Sequence, residues 1–263
     1  MNEYTLITGA SSGIGKEFAK AFAQRGKNLI LASRSADKLQ ALAHNLHEKH
    51  KVAVEVIALD LSLEHIAKTL YEEVVSRNLT VDTLVNDAGF ATTGLLHTTD
   101  YQKQHEEIML NVTTMTELTY LFIKDMCGRK SGTIINLGSC VSFTPFPYSA
   151  VYAATKAYVL SFSESISYEY RNSGIRVLAV CPGPTQTHFF DKSGNVTDNM
   201  RTPANVVRTA LKALDKSKKV AVTDGALSKL QSTAHRFAPR RAVLKIAGGI
   251  SGKAWGPKDN AVE

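Results

Sequence analysis

Short apolar runs alternate along the chain with longer segments whose apolar residues recur at helical spacing. YTLIT (4–8), NLILAS (28–33), VAVEVIAL (52–59), TLVN (83–86), TIINLG (133–138) and IRVLAV (175–180) read as strands. Between them, helices are predicted up to Gly26, over Ala36 to Lys49, up to Arg77, over about 103–128 and over about 150–171. PANVVRTALKAL (203–214) reads as a further helix and VAVTDG as a last strand. Nearly unbroken apolar strands that alternate with helices predict an α/β fold, a parallel sheet covered on both faces. No linker, repeat or low-complexity stretch divides the chain. The expectation is a single domain over 1–225, with a lid-like segment at about 188–202 carrying Phe189 and Phe190. A basic extension, 226–263, then packs on or beside that domain.

Open sheets of this kind bind ligands at the carboxyl ends of their strands, and the polar motifs fall there. The first strand runs into Thr8-Gly9-Ala-Ser11-Ser12-Gly13-Ile14-Gly15 and then a helix. Glycines let a backbone approach a pyrophosphate, and a helix N-terminus offers it free N–H groups and partial positive charge. The second strand ends at Ser33-Arg34, where an acid would hold a ribose hydroxyl and an arginine accommodates a 2′-phosphate. NADP(H) is therefore expected over NAD. The third strand ends at Asp60-Leu61 and the fourth at Asn86-Asp87-Ala88-Gly89, whose small pair allows close approach to a ligand.

Tyr152 and Lys156 stand four residues apart on the helix that starts near 150, hence on one face. A free tyrosine titrates near ~10, too high for acid–base work at neutral pH. A cation ~4 Å away at an effective dielectric of ~20 is worth about 4 kcal/mol, which would bring Tyr152 near ~7. Lys156 is the expected source of that charge. Ser139 follows the fifth strand and could donate to a substrate oxygen as charge develops. Asn111 lies mid-helix, where asparagine has poor propensity.

Taken together, these residues resemble the short-chain dehydrogenase/reductase family, with its Rossmann-type doubly wound parallel sheet. The resemblance covers about 4–187. It implies a catalytic set of Asn111, Ser139, Tyr152 and Lys156, with Ser139 thirteen residues before the tyrosine as is usual in the family. In the family the asparagine holds a water that links the lysine to solvent. For the cofactor it implies Gly9, Ser11, Ser12, Gly13, Ile14, Gly15, Ser33, Arg34, Asp60, Leu61, Asn86, Ala88, Gly89, Tyr152, Lys156, Pro182, Gly183, Thr185 and Thr187. Asp60 matches the acid that meets the adenine, Asn86, Ala88 and Gly89 match the N-N-A-G motif, and Pro182 to Thr187 match the turn over the nicotinamide. Asp87 departs from that motif, at a position expected to support the central sheet, and Cys140 departs after Ser139. Ser33 to Leu39 and the tail VAVTDGALSKL…RFAPRR look like the subgroup that includes long-chain 3-oxoacyl and 17β-hydroxysteroid-type reductases. The family implies a homodimer or homotetramer.

Composition narrows the classes. All of the net charge of +7 is matched by seven Lys and Arg residues within 226–258, a stretch with no Asp or Glu. The rest is neutral on balance, against a nucleic-acid-binding protein and in favour of one basic patch. That patch carries apolar residues from Leu227 to Trp255, so it reads either as a packed helix pair or oligomer contact, or as an amphipathic peripheral membrane contact. The odd count of three cysteines, without C-x-x-C, fits a reducing, cytoplasmic setting, and no secretory signal or spanning segment is expected. His44, His47 and His50 read as a solvated helix end, so no metal site is expected. The reading is an NADPH-dependent reductase of a carbonyl, a ketone or an apolar 3-oxoacyl substrate. An alcohol dehydrogenase running oxidatively and a non-catalytic NADP-binding sensor are the alternatives.

Overall fold

The computed structural model describes residues 3–187, 200–225, 228–229, 232–233 and 237–256. Most of the lid segment, with Phe189 and Phe190, and much of 226–236 lie outside the described residues. Seven parallel strands form one sheet in the order β3-β2-β1-β4-β5-β6-β7. They are β1 (Glu3–Thr8), β2 (Asn28–Ser33), β3 (Val54–Ala58), β4 (Thr80–Asn86), β5 (Gly132–Leu137), β6 (Ile175–Pro182) and β7 (Ala221–Asp224). The order reverses between β1 and β4, which opens a crevice at their carboxyl ends, where ligands of such sheets bind.

The two faces bury separate cores. Helices α1 (Gly13–Gln24), α2 (Ala36–His50) and α7 (Pro203–Lys216) cover one face with Phe18, Leu39, Leu46 and Val206. Helices α3 (Ile66–Ser76), α5 (Met115–Arg129) and α6 (Ala150–Glu169) cover the other with Leu70, Phe122, Ile123 and Ile166. Strands with cores on both sides must be apolar at every position, which is why they read as continuous runs.

One departure from the sequence reading matters. The predicted helix over 103–128 is broken into α4 (Tyr101–Ile108), a π-turn at Met109–Thr114 and α5. A π-turn adds a residue to the helical turn and concentrates at functional sites, and Asn111 sits inside this one. The basic tail contributes α8 (Arg240–Trp255), whose Trp255 packs edge-on against Phe146 with ring centroids 5.8 Å apart. The tail thus reaches the loop that precedes α6. At the base of the lid segment, Asp224 is 2% exposed and holds Arg201 through two bonds of 2.8 Å. Thr209 donates to the same carboxylate at 2.9 Å. These bonds fix the approach to α7 against β7. Among the described residues, no helix is long and apolar enough to cross a membrane.

Candidate active site

The nucleotide end is built at β1, β2 and β3. Gly9 has φ +69°, and a Cβ there would stand 2.9 Å from the Ala88 nitrogen. Only glycine accommodates both. Thr8 ties the two loops together: its hydroxyl oxygen accepts from the amides of Asp87 and Ala88, each at 3.1 Å. Ser12 precedes α1 in extended conformation, and its side chain makes no capping bond to the helix amides. Thr187, from the turn after β6, lies against Gly13, so that turn faces the glycine loop. Within it, Thr185 donates to the Gly183 carbonyl at 2.8 Å. Arg34 is 72% exposed and only loosely engaged, 3.8 Å from Asp60. Burial works against the Asp60 charge, but the hydroxyl and amide of Ser62, with Arg34, outweigh it and hold the carboxyl below its ordinary range. Leu61 is buried, and its carbonyl accepts from Thr114 at 2.9 Å.

The catalytic end is built at β4, β5 and α6. Ser139 caps the short 3₁₀ turn Cys140–Phe143, its amide donating to Ser142 at 3.0 Å. The Ser139 hydroxyl accepts from the Val141 amide at 3.4 Å and shares a hydrogen bond with Tyr152. Lys156 is 6% exposed, donates to the Leu137 carbonyl at 2.8 Å and lies 5.7 Å from the Tyr152 ring centroid. Asn111 is 2% exposed and clamps the loop after β4. Its amide donates to the Phe90 carbonyl at 2.9 Å and to Thr155 at 3.2 Å, and its oxygen accepts from the Phe90 amide at 3.2 Å. A Cβ on Gly89 would meet that oxygen at 2.8 Å, so the loop, Asn111 and Lys156 are packed as one unit.

Two expectations change here. The sheet-supporting role expected of Asp87 falls to Asn86. Asn86 is 5% exposed and donates to Thr119 at 3.2 Å and to Asn136 at 2.9 Å, and Asn136 donates on to Ser163 at 3.0 Å. Its amide is spent inside the sheet and is not turned to the cofactor crevice. Asp87 instead accepts from the Gly15 amide at the start of α1 and faces Lys156. Burial pushes its carboxyl up to about 7, against the pull of Lys156 and of that amide. The second change concerns Tyr152. Burial raises the phenol above its ordinary range, and the Ser139 bond only partly offsets this. Burial thus opposes the expected fall toward neutrality, a cost that Coulomb attraction alone ignores. Lys156 is brought down to about 8 by burial, with Asp87, Cys181 and Glu107 opposing. Burial also raises the Cys140 thiol, and that of Cys181 to about 12, so neither is an activated nucleophile.

Sequence reasoning missed Glu107, which is 0% exposed on α4 and bonded to Thr92. The signal was present: it stands one helical turn before Asn111, hence on the same inward face. A cavity of about 190 Å³ opens beside these residues, lined by Thr92, Leu95, Leu96, Pro147, Tyr148 and Val151 among others.

The profile of the short chain dehydrogenase family matches residues 3–198. The chain belongs to the short-chain dehydrogenase/reductase family. It is an oxidoreductase of that family. It is 30% identical over 257 residues to the very-long-chain 3-oxoacyl-CoA reductase of Mus musculus, covering 95% of this chain and 80% of that one. Among solved structures it is similar to a short-chain dehydrogenase from Sphingobium yanoikuyae in complex with NADPH. That match has a TM-score of 0.80 and 29% identity, and covers 100% of this chain and 99% of that one. It is also similar to a bulky-bulky ketone specific alcohol dehydrogenase from Comamonas testosteroni. There the TM-score is 0.78 with 28% identity, covering 100% and 97% of the two chains.

Proposed function

We propose that this chain reduces an apolar ketone or 3-oxoacyl carbonyl with NADPH, with Tyr152 as the acid. The observation that carries the reading is the hydrogen bond between Ser139 and Tyr152, with the Lys156 ammonium 5.7 Å behind the ring. A phenol holds its proton at neutral pH, as donation to a carbonyl oxygen requires. When bound, NADPH supplies the hydride.

The residues present fit that cofactor. The cradle at Gly9 that a Cβ would fill, and the uncapped start of α1, suit a pyrophosphate from Gly9, Ser11, Ser12, Gly13, Ile14 and Gly15. Arg34 is exposed and loosely paired, so its guanidinium is available to a 2′-phosphate beside Ser33. Asp60 and Leu61 suit the adenine, and Ala88, Gly89, Pro182, Gly183, Thr185 and Thr187 suit the remaining walls. The NADPH complex of the Sphingobium relative, similar over the whole chain, supports the same cofactor.

The chain's own part in the reaction then follows. Ser139 donates to the carbonyl oxygen and holds it beside Tyr152. As negative charge builds on that oxygen it becomes a stronger base than phenolate, and Tyr152 releases its proton to it. Lys156 stabilises the phenolate left behind, and Asn111 keeps Lys156 and the loop after β4 in register. The leucines, proline and valine of the neighbouring cavity favour an apolar substrate. The names of the mouse and Comamonas relatives point to the same chemical class.

NADPH oxidation against 3-oxoacyl thioesters of rising length, steroid-like and bulky ketones, small diketones and aldehydes tests this reading. Turnover should rise with apolar size. Activity confined to small polar aldehydes would overturn the substrate class.

We also propose a homo-oligomer, supported by exposed Tyr120 and Tyr168 on α5 and α6, which light scattering tests. The exposed Leu244, Ile246 and Ile250 of α8, beside Arg240, Arg241, Lys245 and Lys253, support a peripheral contact of the 226–263 extension with anionic membrane. Failure to co-sediment with anionic vesicles at physiological salt would remove it.

A further inference from the structure

The turn after β6 is held by a residue that follows it at a distance in the chain. Thr185 pairs with Arg201 in a short parallel bridge. The Arg201 amide donates to the Pro184 carbonyl at 3.0 Å, and the Gln186 amide donates to the Arg201 carbonyl at 2.8 Å. The Arg201 side chain runs the other way, to Asp224 at the end of β7. Its Nε and Nη2 reach the two carboxylate oxygens, each at 2.8 Å, a forked pairing that fixes orientation as well as distance. Asp224 is 2% exposed and also accepts from Thr209 of α7 at 2.9 Å. Burial works against the Asp224 charge, but the bonds from Arg201 and Thr209 outweigh it and hold the carboxyl below its ordinary range. One residue thus joins the turn to β7 and α7. At its start the turn is tight as well, since a Cβ on Gly183 would strike the hydroxyl of buried Ser228. At its far end the Thr187 methyl stands 3.2 Å from where a Cβ on Gly13 would lie, so the turn faces the glycine loop across the crevice.

The strand order tells which half of a dinucleotide this turn meets. β2 and β3, with Arg34 and Asp60 at their ends, lie on one side of the reversal between β1 and β4. β5 and β6 lie on the other, with Ser139, Tyr152 and Lys156. A dinucleotide laid across the reversal with its 2′-phosphate at Arg34 brings its nicotinamide half to the β6 side.

We propose that Arg201 is a positioning residue for the cofactor: through its forked bond to Asp224 it sets the turn after β6 as the wall against the nicotinamide half of NADPH. This rests on the reading of Pro182 to Thr187 as cofactor walls. Arg201 acts through Thr185 and Thr187. A merely structural Arg201 would brace α7 against β7 and affect stability alone.

Two nucleotides separate these roles. NADPH spans the whole crevice, whereas adenosine 2′-monophosphate carries only the Arg34 end. In Arg201→Met the NADPH Kd, read by fluorescence titration, should rise about tenfold, the scale of one lost hydrogen bond. The Ki of adenosine 2′-monophosphate against NADPH should stay within about twofold. Arg201→Lys keeps the charge but lacks the planar fork, so its NADPH Kd should fall between parent and Arg201→Met. An NADPH Kd unchanged in Arg201→Met, or an equal loss for both nucleotides, overturns the proposal, even where the unfolding midpoint drops. Arg201→Met leaves a buried carboxylate without its cation, which itself threatens folding. If that variant does not fold, Arg201→Met combined with Asp224→Asn removes both charges and should give the same tenfold rise, with the same two results against it. Failure of the underlying reading looks different. Thr185→Val with Thr187→Val should weaken NADPH too. If it does not, the turn is no cofactor wall and the proposal falls with that reading. If it does, and Arg201→Met does not, the proposal alone falls.

Discussion

Asp60 and Asp87 follow the ends of β3 and β4, consecutive in the chain but with two strands between them in the sheet, and the molecule drives them in opposite directions. Asp60 stands at the nucleotide edge, partly exposed, and Ser62 and Arg34 hold its carboxyl low. Asp87 stands at the catalytic edge, and burial carries it up to about 7 despite Lys156. The contrast extends to their surroundings. Around Asp60, charges are open and loosely paired, as suits groups that exchange solvent for a ligand. Around Asp87, the polar groups are enclosed, and each titrates according to what its neighbours carry. A carboxylate at a strand end therefore has no fixed meaning; donors within reach of its oxygens, set against loss of water, decide what it does.

The contrast is most strongly tested at the catalytic edge. Tyr152→Phe removes the phenolic hydrogen there and leaves the nucleotide edge in place. Turnover should fall roughly 10²- to 10⁴-fold while NADPH affinity is kept, as read by steady-state kinetics and fluorescence titration. Next in size is the nucleotide edge. Arg34→Asp replaces a loosely held cation with an anion, so NADPH should lose roughly 10- to 100-fold to NADH in kcat/KM. An unchanged preference would remove Arg34 from the site.

Smaller effects sharpen the comparison of the two aspartates. The folded-state pKa of Asp87 is raised, so it contributes stability below its unfolded value near 4 that is lost as pH rises through about 7. Asp87→Asn keeps an acceptor for the Gly15 amide and removes the titration. Discounting for partial solvent access, the variant should be more stable than the parent by roughly 1–2 kcal/mol at pH 8, and the gain should vanish near pH 4. Urea unfolding at the two pH values measures this. Asp60 has the opposite sign: its depressed pKa contributes stability above the ordinary carboxylate range that is lost in acid. Ser62→Ala should cost only about 0.5–1.5 kcal/mol at pH 7, and less in acid.

The nucleotide edge was legible because its chemistry is local. An apolar strand, three spaced glycines and a following arginine are consecutive in sequence, and short-range rules turn them into a turn, a helix start and an exposed cation. The pairing of Tyr152 with Lys156 was legible for the same reason, since helical spacing puts them on one face. The catalytic edge was read less well because its properties come from burial. Coulomb attraction between two residues predicts a lowered phenol, whereas enclosure by β5, α6 and the 3₁₀ turn raises it. The exchange of roles between Asn86 and Asp87 depends on Asn136 and Thr119, each more than thirty residues away in the chain. The π-turn at Asn111 leaves the hydrophobic pattern almost unchanged, so a single helix was the natural reading. The tail's charge was visible at once, but its place against Phe146 is a matter of tertiary packing.

The account stands on Tyr152 as the acid of an NADPH-dependent reduction. Its most direct test is NADPH oxidation by the parent and by Tyr152→Phe, on the best carbonyl of the panel, at nucleotide concentrations that saturate both. Turnover in the parent and its near-complete loss in the variant, with NADPH still bound, is the result predicted. Equal rates in the two proteins would contradict it.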